Sequence, residues 1–239
     1  MNKFGIIIPV FKHGATLENV VQKLILFNYP IIVVDDGNDS ENKKFIADVE
    51  KKYELVTVVT RKKNGGKGRA FKAGMIKANE MGLTHILQID SDGQHDSSRA
   101  KFFFSESEKN PDAVICAYPE YDDSVPAHRL NGRKIANFWV HIVTLSNSIV
   151  DALIGFRIYP VAPYIDLVKH HAWINSHMGF DTDMLVRYSW KNIKIISYPV
   201  KIFYPKDGIS TFRMGRDNMH IAATYAKLCI GMILRLPLL

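Results

Sequence analysis

A chain of 239 residues, 47% of them hydrophobic, is long enough to close one large core without disulfides, so a single α/β domain is expected. The two cysteines, Cys116 and Cys229, lie far apart in apolar runs, which fits buried thiols in a reducing compartment and not a disulfide framework. A formal charge of +7 suits nucleic acid, an anionic membrane or phosphate-bearing molecules, but the basic clusters at 61–72, at 128–134 and near the C-terminus have no aromatic residues interleaved for base stacking, so nucleic acid is not expected as a partner.

The chain enters at once into an apolar, β-branched run at 5–10, without the basic and apolar regions of a secretory signal, and a cytoplasmic location is expected. Similar runs at 31–34, 55–60 and 85–89 lack the polar alternation of half-exposed strands, so they predict a parallel sheet covered on both faces. Between them lie helical patterns. Thr16 is placed to cap a helix through Leu17, Val20, Val21, Leu24 and Ile25, and 67–81 carries Ala70, Phe71, Gly74, Met75 and Ala78 at helical spacing. The second half predicts a long helix over 131–148, a strand at 155–159, a helix at 182–190 and strands within 194–204. From Met219 onward, Ala223, Ala226, Ile230, Ile233 and Leu234 form one helical face, opposite His220, Thr224, Lys227, Gly231 and Arg235. The domain is expected to occupy 1–215, and 216–239 to form an amphipathic helix suited to a membrane surface, a partner subunit or the domain itself. Lys227 and Arg235 interrupt any stretch long enough to span a bilayer.

Every predicted strand of the first half ends in polar or glycine-rich residues: Phe11-Lys12-His13-Gly14, Asp35-Asp36-Gly37, 61–68, and Asp90-Ser91-Asp92. In open α/β sheets ligands bind beyond the carboxyl ends of the strands, so these loops should converge. Asp90 and Asp92 flank a turn before Gly93 and present two hard oxygen ligands, suited to Mg²⁺ or Mn²⁺ bridging a diphosphate. Such a cation would stabilise a departing nucleoside diphosphate. Asp35 and Asp36 can accept hydrogen bonds from a nucleobase or ribose, or simply shape a turn. Gly65-Gly66-Lys67-Gly68-Arg69 opens a helix, where amides and cations can face an anion. It lacks the spacing of a P-loop and follows the third strand, so neither an ATPase nor a dinucleotide fingerprint is indicated.

With Ile8-Pro9-Val10-Phe11, Val33-Val34-Asp35-Asp36-Gly37, Gly66-Lys67-Gly68-Arg69-Ala70, Asp90-Ser91-Asp92-Gly93-Gln94-His95 and Gly155-Phe156-Arg157-Ile158-Tyr159 in hand, the chain resembles family 2 glycosyltransferases over nearly its whole length, most closely their dolichyl-phosphate mannose synthase-like branch. The resemblance implies a GT-A type fold, a mostly parallel sheet flanked by helices. It also implies a metal-dependent, inverting transfer from a nucleotide-diphosphate-sugar donor. Asp90 and Asp92 would hold the metal and diphosphate, with Gln94 beside the donor, and Pro9, Phe11 and Asp36 would line the nucleoside pocket. Asp35, Lys67 and Ser91 are expected to contact the donor nucleotide as well, and Asp92 to take part in catalysis. The branch's Pro-Thr-Tyr-Asn-Glu is replaced here by Pro9-Val10-Phe11-Lys12-His13, so a UDP-sugar competes with a GDP-sugar as donor.

Inverting transfer to a hydroxyl needs a base. In Gly179-Phe180-Asp181-Thr182-Asp183-Met184-Leu185-Val186-Arg187 the family resemblance sets Asp181 at that position, where it could otherwise cap the helix. Asp183, two residues on, should point elsewhere. Arg133, Arg157 and Arg213 are candidates to contact an acceptor or its phosphate, with Asp183 beside them. The expected acceptor is lipid-linked, a polyprenyl phosphate or a hydroxyl-bearing lipid, or a small hydroxyl compound. Peripheral contact at the inner face of the plasma membrane and a homo-oligomer are compatible with this reading. The alternatives are a sugar-phosphate nucleotidyltransferase and a non-catalytic membrane-associated protein of the same fold.

Overall fold

Alternation along the strands decides the layering. Ile6, Ile8, Val10, Ile31 and Val33 belong to one buried cluster, and Ile7, Ile32 and Val34 to another, because successive side chains of a strand point to opposite faces. The computed structural model describes residues 2–120, 127–170, 174–201 and 214–236. Its strands are β1 (Phe4–Val10), β2 (Ile31–Asp35), β3 (Val56–Thr60), β4 (His85–Gln88), β5 (Val114–Glu120), β6 (Arg157–Pro160) and β7 (Ile195–Lys201). Its α-helices are α1 (Gly14–Leu24), α2 (Ser40–Lys52), α3 (Lys67–Glu80), α4 (Ala100–Lys109), α5 (Ala127–Thr144), α6 (Val161–His170), α7 (Phe180–Trp190) and α8 (Met214–Arg235).

The strands form one sheet in the order β3-β2-β1-β4-β6-β5-β7. All pairings are parallel except those of β6, which runs against both β4 and β5. Helices α1, α2 and α4 bury their apolar residues against one face, and α3, α5, α6, α7 and α8 against the other. The α/β expectation, with a mostly parallel sheet flanked by helices, is what the protein adopts.

Two local expectations need correction. β3 is not covered on both faces: it lies at the sheet edge, where Thr57, Val58 and Val59 are half-buried and Thr60 is exposed. Thr16 does not cap α1, which starts at Gly14 after His13. Its hydroxyl donates instead to the carbonyl of Ser91 at 2.6 Å, tying the helix to the turn after β4. At the C-terminal end, Tyr225, Leu228 and Met232 of α8 share the core cluster with Ile7 and Ile32 of the sheet.

Cys116 is buried and Cys229 only half-buried, both as free thiols. Burial pushes the Cys116 thiol up to about 12, with nearby Asp151 and Asp181 adding to the shift against the opposing pull of Arg157. The thiolate is the reactive species. A disulfide reagent added to the native protein at pH 8 is therefore expected to titrate at most one thiol, Cys229. Unfolding in denaturant should expose the second, and rapid modification of Cys116 without denaturant would contradict its burial.

Candidate active site

From β1 the chain steps outward to β2 and β3, and α3 then carries it back across the sheet to β4 on the other side of β1. The loops leaving β1 and β4 thus diverge and open a crevice at their carboxyl ends, the switch point where such sheets bind ligands. Backbone contacts lash the loops together. The Asp36 amide donates to the Val10 carbonyl at 3.0 Å, the Lys12 amide to Asn38 Oδ1 at 2.7 Å, and the Arg61 amide to the Asp35 carbonyl at 2.9 Å.

The carboxylates after β2 are taken up in holding these loops. Asp35 Oδ1 accepts from the Asn38 amide and side chain, at 2.9 and 2.7 Å. Buried Asp36 pairs with Arg61, accepts from Asn64 at 3.0 Å, and accepts from the amides of Gly65 and Gly66. Burial raises the Asp36 carboxyl, although those amides and Arg61 pull the other way. Asp36 thereby takes the Gly65 and Gly66 amides expected to cradle an anion, and the Gly68 amide donates to the Ser176 carbonyl at 3.0 Å. Glycine is required at 66, where φ is +87° and a Cβ would lie 2.3 Å from the Ser176 carbonyl.

Lys67, the first residue of α3, reaches into the crevice. Its Nζ lies 2.8 Å from Asp90 Oδ1 and 2.9 Å from Asp181 Oδ2, so one cation bridges two carboxylates from different elements. Burial pushes the ammonium down, but Asp181 and Asp90 together outweigh it and hold Lys67 well above the usual lysine range. Burial likewise raises Asp90, yet Lys67 and His95 bring it far below the carboxylate range. His95 Nε2 stands 3.4 Å from Asp90 Oδ2, with its ring against Phe156. Gly155 makes room for the pair: a Cβ there would lie 2.4 Å from Lys67 Nζ and 2.9 Å from Asp90 Oδ2.

Asp181 sits in the first turn of α7, whose N-cap is Gly179, so it is not the cap. Its carboxylate accepts from Gln88 Nε2 at 2.9 Å. Gln88 and Arg157 are cross-strand partners between β4 and β6. Arg157 is 0% exposed, and its guanidinium donates to the Asp181 carbonyl at 2.7 Å and to the Tyr159 hydroxyl at 3.0 Å, 3.9 Å from Asp181 Oδ1. A buried charge beneath the crevice therefore braces Asp181 from below while Lys67 meets it from above.

The remaining expected residues divide. Pro9 and Phe11 are half-buried at the end of β1, and Lys12 Nζ lies 5.5 Å from the Phe11 ring. Asp92 and Gln94 are half-buried, and the Gln94 amide donates to Asp92 Oδ1 at 3.0 Å. Ser91 is buried, its carbonyl held by Thr16. Three acceptor candidates have partners within the protein. Arg157 has no exposed surface with which to meet a phosphate. Asp183 is turned away, accepting from Arg187 Nε at 2.7 Å and the Asn175 amide at 2.6 Å. Arg133 is paired with buried Asp151. Arg213 lies outside the described residues. Gln88, His95 and Gly155 were given no role from sequence, although a glutamine closing an otherwise apolar strand run marks Gln88 as a buried polar group in need of a partner.

A mostly parallel sheet with a carboxylate turn at its switch point defines the class of fold, the GT-A type. Solved structures of that class share the fold. Glucosyl-3-phosphoglycerate synthase from Mycobacterium tuberculosis, crystallised with Mn²⁺, UDP-glucose and phosphoglyceric acid, matches with a TM-score of 0.69 at 13% identity, over 95% of this chain and 80% of that one. Mannosyl-3-phosphoglycerate synthase from Rubrobacter xylanophilus matches with a TM-score of 0.66 at 12% identity, over 100% and 76%.

The particular family follows from the sequence: the model of glycosyl transferase family 2 matches residues 5–164, and the chain belongs to that family. An uncharacterized protein of Methanocaldococcus jannaschii is 26% identical over 85% of this chain and 90% of its own length. A dolichyl-phosphate beta-glucosyltransferase of Trichomonas vaginalis is 25% identical over 92% of this chain and 72% of its own. A UDP-N-acetylglucosamine–dolichyl-phosphate N-acetylglucosaminyltransferase of Methanococcus voltae is 31% identical over 38% of this chain and 41% of its own. The chain is thus a family 2 glycosyltransferase, on the side of the family where these dolichyl-phosphate sugar transferases lie, and the nucleotidyltransferase and non-catalytic alternatives give way.

Proposed function

We propose that this enzyme transfers a hexose from a UDP-sugar to a polyprenyl-phosphate acceptor by a single inverting displacement assisted by a divalent cation. The observation that carries the reading is the Lys67 bridge between Asp90 and Asp181, because it sets positive charge at the switch-point crevice where a diphosphate would lie. The relatives support the substrates: their names pair dolichyl phosphate with glucose and, in one case, UDP-N-acetylglucosamine.

In the proposed step an acceptor phosphate oxygen attacks the anomeric carbon, the bond from that carbon to the diphosphate breaks, and UDP leaves with the electron pair. A phosphate oxygen is already anionic near neutral pH, so no base is required of Asp181. Its part is to hold Lys67 where the diphosphate's charge grows, with Gln88 fixing the carboxylate and Arg157 the backbone carbonyl of the same residue.

The donor set of the turn fits a hard cation. Asp90 and Asp92 would supply carboxylate oxygens, and the remaining ligands would come from the diphosphate and water. When bound, such a cation supplies Lewis-acid stabilisation of the leaving diphosphate. Because Lys67 already contacts Asp90, it has to give up that contact or share the carboxylate, and the diphosphate is its natural new partner.

Calorimetric titration with UDP and GDP, each with and without Mn²⁺, tests the donor. UDP is expected to bind with about tenfold or greater enhancement by Mn²⁺, the equivalent of one added charge-assisted contact. Equal binding of both nucleotides regardless of metal would overturn the reading.

A further inference from the structure

Between α5 and β6 the chain returns to the crevice along 145–156, a segment without regular secondary structure. At its end the Gly155 backbone abuts Lys67 Nζ and Asp90 Oδ2. Three residues earlier, the Ala152 carbonyl accepts from the hydroxyl of Thr182, the neighbour of Asp181, at 3.3 Å. The segment therefore borders both sides of the Lys67 bridge. Connecting segments of this kind move unless something fixes them, whereas groups that place a reacting charge need to be held within about 0.5 Å.

One stripe of α5 supplies the fixing. Arg133, Asn137 and His141 recur every fourth residue, so they share a face of the helix, and each meets the returning chain. Arg133 Nη1 donates to Asp151 Oδ2 at 2.5 Å, and His141 Nε2 meets the Ile149 carbonyl at 3.0 Å. The Asn137 amide grips the segment on both sides of Asp151: its Nδ2 donates to the Val150 carbonyl at 3.0 Å, and its Oδ1 accepts from the Ala152 amide at 3.2 Å. Asp151 is 4% exposed, and its other oxygen accepts from the amides of Leu153 and Ile154, both at 2.9 Å. Displacing the turn that leads to Gly155 would strand this buried charge, so the turn keeps one shape.

We propose that Arg133, Asn137 and Asp151 are positioning residues of the transferase: they clamp 150–155 to α5, so that the Gly155 backbone and the Ala152 carbonyl keep Lys67 between Asp90 and Asp181. They act through the loop, at one remove from Lys67. The effect on catalysis rests on the reading of the Lys67 bridge as the reacting centre, whereas the placement of Lys67 does not. A misplacement of about 1 Å in such a centre costs on the order of 10²-fold in rate.

Two variants of the full chain test the clamp. Asn137→Leu removes both amide contacts at a half-buried helix position. Asp151→Asn removes the charge opposite Arg133 but leaves an oxygen for the Leu153 and Ile154 amides. Isotopic labelling of the lysine side-chain nitrogens lets the Lys67 ammonium be followed by NMR, assigned through its loss in Lys67→Met. Gly155→Ala, whose methyl would press directly on Lys67 Nζ, sets the scale of a displacement. Both clamp variants should shift or broaden the Lys67 signal. With UDP-glucose and a short-chain polyprenyl phosphate as substrates, kcat should fall about 10–100-fold, while KM for UDP-glucose changes less than about threefold. An unmoved Lys67 signal in both variants overturns the clamp, even if the melting temperature drops, because the three side chains then only support α5. A moved signal with unchanged kcat upholds the placement and overturns the effect on catalysis, together with the reading of the Lys67 bridge on which it rests. If the wild type transfers nothing between these two substrates, the proposed substrates fail and the Lys67 signal still decides the clamp.

Discussion

Asp181→Asn is expected to lower sugar transfer by about 10²–10³-fold, the loss typical of removing one preorganised charged group from an active site, with UDP affinity changed less than about threefold. The substitution keeps the shape of the side chain, and the Gln88 amide can still donate to the remaining oxygen. What it removes is the negative charge 2.9 Å from Lys67 Nζ, so the ammonium is left with Asp90 alone. The pH profile separates two roles. If Asp181 positions Lys67 for an ionised phosphate acceptor, the loss stays flat from neutral to alkaline pH; if it removes a proton from a hydroxyl acceptor, the deficit shrinks as hydroxide takes over. Undiminished turnover in the variant would leave Asp181 a structural residue of α7.

Lys67→Met should produce the second large effect, and in two directions at once. Affinity for UDP in the presence of metal is expected to fall about 10–100-fold, since a hydrogen bond from a charged donor to phosphate contributes roughly 1.5–3 kcal/mol. Affinity for Mn²⁺ without nucleotide should rise, because Asp90 and Asp181 lose the cation that now bridges them and electrostatically require another. Manganese binding read by electron paramagnetic resonance needs no turnover. The variant should also be less stable by about 2 kcal/mol, below the cost of breaking a fully buried pair because both partners retain some solvent contact. Unchanged affinity for both ligands would reduce Lys67 to a brace between α3 and α7.

The ion pairs constrain the pH range in which this arrangement holds. Asp90 is depressed in the folded protein, so its contribution to stability is present above the ordinary carboxylate range and is lost as pH falls through its lowered value. Lys67 is raised, so its contribution is complete below the ordinary lysine range and is lost only as pH rises through the raised value. Between those limits the bridge persists.

Much of this arrangement was legible in the sequence. The four strands of the first half emerge within a residue or two of their true ends, since apolar β-branched runs closed by glycine and aspartate have few other readings. Helical periodicity also separates Asp181 from Asp183: two positions apart on α7, one meets Lys67 and Gln88 and the other Asn175 and Arg187. Other elements escaped notice for identifiable reasons. α2 buries only Ile46 and Val49, too thin a stripe to register, although Asp39 caps it through the Asn42 amide. In α4 the run Phe102-Phe103-Phe104 reads as strand-like, and in β5 Pro119 argues against a strand.

Taken by itself, the sequence determined which loops meet, which side chains are chemically suited to a cation and a diphosphate, and which residues form each helical stripe, because those properties depend on neighbours only a few positions away. Tertiary structure alone decided who pairs with whom across long stretches of chain. It turned Asp36 onto Arg61 and the Gly65 and Gly66 amides, sank Arg157 beneath Asp181, and pointed the apolar stripe of α8 outward while Tyr225, Leu228 and Met232 went into the core. The physical reason is competition for partners: a buried charge takes the nearest compensating group the fold offers, and no local pattern reveals which group that is.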